Sequence, residues 1–460
     1  MGNGFFVYFY ITVKCFRKLQ EFDKNNRNKN LRKRGDFMCQ KHVLQNRVRI
    51  VAENISFAHS AVIGIWIKSG SRYEDDTNRG VSHFIEHLLF KGTSNRTAKQ
   101  IAEELEALGG TLNAFTSKEY TCFYAKVLAA HLPRAIDLLS DMIFNSNFAE
   151  EDIEKERNVV LEEIKMYEDT PDEYIHDLFV SNVWEQHALG YPVLGTSNSI
   201  EGVDKKTIVK YYNEHYTPGN TVIAVAGNIN YQIVFSQLEA VFGGWTSPQT
   251  VTGKLISPMV TRKDVFYPKD TEQVHFCVGT PSVAQDDERI YVMTVLNSAI
   301  GGGLSSRLFQ TVREEKGLVY SIFSYNASYT GAGLFSVYAG TRSSTVIEVL
   351  NLILKELKKI QKDGISQEEL NRIQTQVKGN ILLSTENVSN RMSRLGKSEI
   401  SFNRIVTGEE IIDRVFKVTL LDIHSLAKEL FQGEKFSYIS LGPERLSTEF
   451  PELLSANLLL

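Results

Sequence analysis

Two rhythms of apolar and polar positions run through the first half of the chain, and each predicts one kind of element. Short runs rich in β-branched and aromatic residues predict strands, which are expected at 47–55, at 60–68, as a hairpin within 111–127, and at 220–227. In the second of these runs, Ile63, Ile65 and Ile67 share one side, and Val62 and Trp66 lie on the other. Apolar side chains on both sides are typical of a strand that is covered on both faces.

Longer stretches with a period near 3.6 residues predict helices between those strands. One begins at Val81 and ends at Lys91-Gly92, and others are expected at 97–108, 132–145, 150–168, 173–186 and 205–215. Gly109-Gly110 and Thr170-Pro171 end two of them, because neither glycine nor a residue before proline favours the helical conformation. Strands and helices mixed in this order predict an α+β fold.

The pattern of the first half occurs a second time. The stretches at 272–279, 296–304, 367–382 and 437–442 match those at 60–68, 80–88, 150–165 and 221–227. A segment rich in Ser, Thr, Pro and Gly at 245–261 separates the two copies and predicts a linker. We therefore expect an N-terminal domain at 38–244, a homologous C-terminal domain at 262–451 and a short tail at 452–460.

The helix that begins at Val81 carries His83, Glu86 and His87, which form an inverted His-x-x-Glu-His zinc motif. Residues four apart project from the same face of a helix, so the two imidazoles can bind one zinc ion. Glu86 lies close to that face and can act as a base on a metal-bound water. The plain alternative is an amphipathic helix with two exposed histidines, and the zinc hypothesis needs a third ligand.

The helix at 150–168 supplies the candidate for that ligand. Most of its carboxylates are expected on a solvated face, but Glu163 shares a partly apolar stripe with Glu156 and Val160. Glu162 points roughly 100° away from that stripe.

In the second copy, the positions of the zinc set are taken by residues that do not bind metal. Ala299, Gly302, Gly303 and Asn380 stand opposite His83, Glu86, His87 and Glu163. Metal-binding side chains thus occur only in the first copy, which favours a functional role over a packing role for them.

These motifs and the doubled unit resemble the inverzincin metallopeptidases, the family that includes pitrilysin, insulysin and the mitochondrial processing peptidase. The length is similar to that of the processing-peptidase-like branch and its bacterial relatives, and the resemblance covers 38–451. It implies two homologous α+β domains, each a mostly antiparallel sheet packed by helices. It also implies that His83, His87 and Glu163 bind one zinc ion per chain and that Glu156 supports the site.

The same resemblance implies how a peptide would be bound. Asn113, Ala114 and Phe115 resemble an edge strand that pairs with an extended substrate. Arg313 and Tyr320 resemble residues that contact the substrate near the scissile bond. In the family this segment faces the zinc from an opposite half of the molecule, so a homodimer is expected.

The function that the resemblance implies is that of a zinc-dependent endopeptidase acting on unfolded peptides or presequences, with Glu86 as general base on the zinc-bound water. Which of these two substrate classes applies stays open. The alternative from another class is a non-catalytic structural subunit of the same fold, like the core proteins of the respiratory bc1 complex.

Composition narrows the range of partners. The chain has 460 residues, of which 42% are hydrophobic and 23% charged, and its formal net charge is −4. Such a chain is typical of a globular protein of two or more domains, and without a basic excess it has no expected nucleic-acid partner. The run Gly301-Gly302-Gly303 is not followed by Lys-Ser/Thr, so no nucleotide is expected.

The four scattered cysteines predict no disulfide framework and favour a reducing compartment. The bacterial cytoplasm is the expected location, with the mitochondrial matrix as the alternative.

Residues 1–37 do not follow the pattern of the rest. Their apolar run at 5–13 is too short to span a bilayer, so no transmembrane segment is expected. The basic residues follow that run instead of preceding it, which disfavours a signal peptide. We expect an extension that is disordered or a misassigned start, because the ordered pattern begins at Met38.

Overall fold

The computed structural model describes residues 39–247 and 255–446, and the described residues from Gln40 onward belong to one compact unit. The predicted extension at 1–37, the tail at 452–460 and part of the predicted linker lie outside the described residues. The domain boundaries stay predictions.

Eleven strands of the described residues form two sheets. They are β1 (Cys39–Val43), β2 (Arg49–Asn54), β3 (Ser60–Ile67), β4 (Thr111–Thr116), β5 (Thr121–Leu128), β6 (Thr221–Gly227), β7 (Asp264–Pro268), β8 (Gln273–Pro281), β9 (Val319–Tyr329), β10 (Ala332–Arg342) and β11 (Ser437–Gly442).

The α-helices of the described residues number fourteen. They are α1 (Val81–Leu88), α2 (Ala98–Ala107), α3 (Leu132–Asn145), α4 (Glu150–Glu168), α5 (Pro171–Val183), α6 (Ser197–Gly202), α7 (Lys205–His215), α8 (Tyr231–Phe242), α9 (Ile290–Gly301), α10 (Val346–Asp363), α11 (Gln367–Ser384), α12 (Val388–Phe402), α13 (Gly408–Lys417) and α14 (Leu420–Leu430). A π-helical turn occupies Phe309–Glu314.

The two sheets have the same strand order once β1 is set aside. The first runs β1-β2-β6-β3-β5-β4 and the second β7-β11-β8-β10-β9. In each sheet one pair is parallel, β2 with β6 and β7 with β11, and the pairs that follow are antiparallel. The predicted duplicated α+β unit is confirmed.

The match between the copies differs from prediction at one helix. The counterpart of the motif helix begins at Ile290 and ends at Gly301, whereas the sequence predicted the stretch 296–304. Ala299 is a buried helical residue, but Gly302 and Gly303 come after the helix ends. The copies therefore align less closely here than the sequence pattern suggested.

Each sheet has its own core on one face and a helix from the other half of the chain on its second face. Helices of the first half cover the face of β3 that bears Ile63 and Ile65, and a matching core covers the second sheet. Helix α12 packs on β3 and β6 of the first sheet, and α5 packs on β8 and β11 of the second. This exchange explains why β3 is buried on both faces.

The approach of α12 to the first sheet is close enough to require glycine. A Cβ on Gly396 would lie 2.1 Å from Nε1 of Trp66, and a Cβ on Gly64 would lie 2.5 Å from Sδ of Met392. Real side-chain carbons do not approach this closely, so the two glycines set the distance between helix and strand. No helix of the described residues is both long and apolar enough to cross a membrane.

Candidate metal centre

Helix α1 is held at its N-terminus by a carboxylate from the preceding loop. Glu74 accepts hydrogen bonds from the backbone N–H of Gly80 at 2.7 Å and of Ser82 at 2.9 Å. These N–H groups have no partner inside the helix, and a negative charge is favourable there. The apolar side of α1, with Phe84 and Ile85, is buried in the first core. The contacts at its N-terminus therefore fix the position of the helix, and its buried apolar side fixes its rotation about its own axis.

Three side chains that could hold a metal ion converge above this helix. His83 and His87 stand one turn apart on α1, and Glu163 reaches them from α4. Glu163 Oε2 lies 3.8 Å from Nε2 of His83 and 3.5 Å from Nε2 of His87. Within 39–247 and 255–446, this is the only cluster of three or more His, Cys, Asp or Glu residues that could hold a metal ion.

The cluster fits a zinc ion. Ligand atoms about 2.0–2.1 Å from a tetrahedral zinc are separated by about 3.4 Å, close to the two measured distances. Burial, with a smaller contribution from His87, lowers the pKa of His83 to about 3. The imidazole is then neutral at pH 7, which is the form that binds metals. Two histidines and one glutamate leave a fourth position open, as in catalytic zinc sites.

Glu156 lies behind His87 and fixes its ring. Its Oε2 is 3.2 Å from Nδ1 of His87, and its Oε1 is 2.6 Å from Nζ of Lys91. When Nε2 of His87 is free to bind a metal, the proton of the neutral ring is on Nδ1. The Nδ1–H group then donates a hydrogen bond to Glu156. A carboxylate behind a metal-binding histidine orients the ring and raises its basicity.

The structure also separates Glu163 from its neighbour Glu162. The Glu162 side chain is 73% exposed and forms an ion pair with Lys165, whereas the Glu163 side chain is 34% exposed and faces the histidines. The 100° step between adjacent helical residues accounts for the difference.

Glu86 lies beside the cluster, within hydrogen-bonding reach of the edge strand. Its Oε2 accepts a hydrogen bond from Oγ1 of Thr116, the last residue of β4. Burial raises the pKa of Glu86, and the hydrogen bond from Thr116 opposes that rise. A raised pKa makes this carboxylate a stronger base toward the proton of a water molecule.

The predicted substrate strand has a free backbone edge. Asn113, Ala114 and Phe115 lie in β4, which pairs with β5 and has no second neighbour in the described sheet. Phe115 points to the face opposite α1, where its ring lies 5.6 Å from that of Trp66. There it lines a crevice of about 1270 Å³ between the two halves, which Tyr291 and Arg394 also line.

Arg313 and Tyr320 are not brought to the metal cluster. The Arg313 guanidinium lies over the rings of Phe309 and Tyr320, 4.6 Å and 5.7 Å from their centroids. Tyr320 is the second residue of β9, the edge strand of the second sheet, and is 81% exposed. In the part of the chain that the structure describes, no hydrogen bond, ion pair or ring contact joins either residue to His83, His87 or Glu163.

Comparison with known proteins identifies the family of this chain. The family model described as "Insulinase (Peptidase family M16)" matches residues 49–197, and the model described as "Peptidase M16 inactive domain" matches residues 202–377. The chain belongs to peptidase family M16. The part that matches the inactive-domain model includes four of the five strands of the second sheet, and no metal cluster occurs there among the described residues.

The sequence relatives of this M16 protein are bacterial proteins of similar length. It is 43% identical over 394 residues to YmxG of Bacillus subtilis, named an uncharacterized zinc protease, which covers 86% of this chain and 96% of the relative. A protein of Streptomyces coelicolor with the same description is 40% identical over 407 residues, covering 87% and 88%.

Solved structures show the same fold. A protease from Helicobacter pylori superimposes with a TM-score of 0.83 at 22% identity and covers 88% of this chain and 99% of its own. A Pseudomonas fluorescens structure titled as a peptidase M16 inactive domain gives 0.82 at 18% identity, covering 88% and 98%. These likenesses support the two-domain α+β fold of this M16 chain.

Three residues around the site were missed by sequence reasoning. Glu74 binds the N-terminus of the motif helix, Lys91 pairs with Glu156, and Thr116 donates a hydrogen bond to Glu86. Thr116 directly follows Asn113-Ala114-Phe115, and Lys91 lies four residues after His87. The sequence therefore shows that both residues lie near the motifs. The sequence does not show which side chains they contact, because those partners are distant along the chain and are brought close only by the fold.

Proposed function

We propose that this M16 chain is a zinc-dependent endopeptidase in which His83, His87 and Glu163 hold one zinc ion. The observation that carries the proposal is the convergence of these three side chains, at distances that suit zinc, next to Glu86 and a free strand edge. The names of the bacterial relatives as zinc proteases support it.

The bound zinc ion would supply Lewis acidity, which polarises the peptide carbonyl and makes water a stronger nucleophile. Glu86 accepts the proton of the attacking water and delivers it to the leaving amine. Glu156 holds the ring of His87, and its own charge is balanced by Lys91. Glu74 holds the helix that carries both histidines.

The substrate in this proposal is an extended peptide that adds as a strand to β4. Backbone hydrogen bonds to Asn113, Ala114 and Phe115 would then hold it, with alternate side chains facing α1 and the crevice beside Phe115. Because strand addition reads the backbone, we expect broad sequence preference and a requirement for locally unfolded substrate. General peptide degradation and presequence cleavage both meet these conditions.

We further propose that the active site is completed by a second copy of the chain. Arg313 and Tyr320 lie apart from the metal cluster of their own chain and Tyr320 is exposed, so a partner could receive them. Arg313 would contact the substrate backbone, and Tyr320 would donate a hydrogen bond to the tetrahedral oxyanion. The cysteines favour a reducing compartment, and location in the bacterial cytoplasm stays a prediction.

A peptide-library digest tests the proposal. The zinc-loaded protein should cut peptides at internal bonds, lose this activity with a chelator and regain it with zinc, while Glu86→Gln should keep its zinc and be inactive. If the folded, zinc-loaded protein cuts no peptide, the alternative of a non-catalytic structural subunit is favoured. That alternative predicts no dependence of any activity on Glu86.

A further inference from the structure

The side chain of Glu86 has one hydrogen-bond partner among the described residues, and that partner belongs to the edge strand. Oγ1 of Thr116 donates to Oε2 of Glu86. The other carboxylate oxygen of Glu86 makes no hydrogen bond within the described protein. One oxygen is therefore fixed by the protein, while the other stays available to a reacting group.

Thr116 is the donor of this hydrogen bond, because an ionised carboxylate can only accept. Thr116 pairs with Thr121 across β4 and β5, and their Oγ1 atoms are 3.4 Å apart. Oγ1 of Thr121 donates to the carbonyl oxygen of Ser69 at 2.9 Å. A hydroxyl has a single proton, and the Thr116 proton goes to the carboxylate because Oε2 of Glu86 is both nearer and a stronger acceptor than Oγ1 of Thr121.

We infer that Thr116 is a positioning residue that orients Glu86 and links it to the strand on which the peptide lies. The inference rests on the proposed function, since it assumes that Glu86 is the base and β4 the substrate strand. Thr116 belongs to the same strand as Asn113, Ala114 and Phe115, so one rigid element sets both the peptide backbone and the base. A base held in this way meets the scissile bond without a separate search of its rotamers.

The test replaces the hydroxyl of Thr116 and keeps its shape. Thr116→Val retains the β-branched side chain that a strand favours, but it removes the donor to Glu86. We expect kcat to fall by about tenfold or more, because general-base catalysis contributes about 10²- to 10⁴-fold and depends on geometry. KM should stay near its wild-type value, because the lost contact acts in the transition state. Thr116→Ser keeps the hydroxyl and should retain most of the wild-type kcat.

Thr121→Val is the matched control. It also removes a buried hydroxyl from the same cross-strand pair, but that hydroxyl does not touch Glu86. Its kcat should fall much less than that of Thr116→Val. Two further measurements exclude a structural effect: zinc content, and the affinity of an uncleaved fluorescent peptide in the Glu86→Gln background. Adding Thr116→Val should change neither by more than about twofold.

Several results would overturn the inference. They are an unchanged kcat for Thr116→Val, an equal loss in Thr116→Ser, an equal loss in Thr121→Val, or a loss of zinc that parallels the loss of kcat. Glu86→Gln distinguishes the two levels of the argument. If that variant is inactive while Thr116→Val is fully active, only the role of Thr116 fails; if it keeps full activity, the proposed function fails as well.

Discussion

At the scale of single residues, the metal centre depends on which of two adjacent glutamates faces the histidines. Glu163 is the third member of the cluster, while Glu162 forms an exposed ion pair with Lys165. Both carboxylates have the same chemistry and differ only in direction. Replacing them one at a time therefore isolates the effect of ligand geometry.

Glu163→Ala should abolish stoichiometric zinc binding, and Glu162→Ala should not. Removing Glu163 leaves two imidazoles, one protein ligand fewer than the three that hold zinc in catalytic sites. Zinc per chain is measured by atomic absorption after dialysis, with circular dichroism as the check on folding. Full zinc in the Glu163 variant together with loss in the Glu162 variant would show that the ligand has been wrongly assigned.

At the scale of elements, periodicity predicted those helices that have one apolar face. Leu132–Asn145, Glu150–Glu168 and Lys205–His215 have the predicted bounds. Ile290–Gly301 is apolar on nearly all sides and lacks a side-chain cap, so neither its period nor its start was visible.

Two other elements were missed, although Asn230 and Gly243-Gly244 mark the start and end of one of them. The strand Cys39–Val43 and the helix Tyr231–Phe242 were not predicted. The site likewise has residues that the sequence predicted and a contact that it did not. Spacing along one helix predicted His83, Glu86 and His87, but the contact of Thr116 with Glu86 joins residues 30 positions apart and follows only from the fold.

The packing of α12 on the first sheet gives a prediction about two helical glycines. Gly396→Ala should destabilise the protein by about 1–3 kcal/mol, because the added methyl group overlaps Trp66 in a filled core. Gly379→Ala lies in α11 with nothing within 4 Å of the new Cβ, so it should stabilise by about 0.5–1 kcal/mol through helix propensity. Urea unfolding of both variants measures the difference, and equal free energies of unfolding would contradict it.

The N-terminus of α1 gives a prediction about pH. Burial raises the folded-state pKa of Glu74 to about 7, against about 4.3 in an unfolded chain. The protonated form is thus favoured by folding, and its contribution to stability is full below about pH 4.3 and lost as pH rises through about 7. The loss is on the order of 4 kcal/mol, since one pKa unit corresponds to 1.36 kcal/mol.

Glu74→Gln removes this titration and keeps an oxygen that can accept from the helix N-terminus. The wild-type free energy of unfolding should therefore decline relative to that of the variant between pH 5 and pH 7.5. Taking the difference between the two proteins cancels the contributions of other titrating groups. If the free energies of unfolding of the two proteins, measured with urea, differ by the same amount at every pH in this range, Glu74 does not titrate there.

At the scale of the whole molecule, one chain contains the complete metal cluster and, separately, the Arg313 and Tyr320 segment. The two halves of the chain are joined by exchanged helices: α5 covers the second sheet and α12 the first. We therefore expect no rearrangement within one chain that brings Tyr320 to His83, His87 and Glu163. In the proposed homodimer, a second chain that faces the first would supply the Arg313 and Tyr320 segment to each of the two sites by symmetry.

Mixing two inactive variants tests whether the site is shared. Glu86→Gln lacks the base and Tyr320→Phe lacks the hydroxyl donor, and each should be inactive or nearly so alone. In a mixed homodimer with shared sites, one site combines Glu86 from one chain with Tyr320 from the other. Random pairing makes half of the dimers mixed, each with one intact site of two, so activity should recover to about a quarter of wild type. Mixed dimers verified by mass spectrometry that stay inactive, while both parents are folded and zinc-loaded, would mean that each chain builds its site alone.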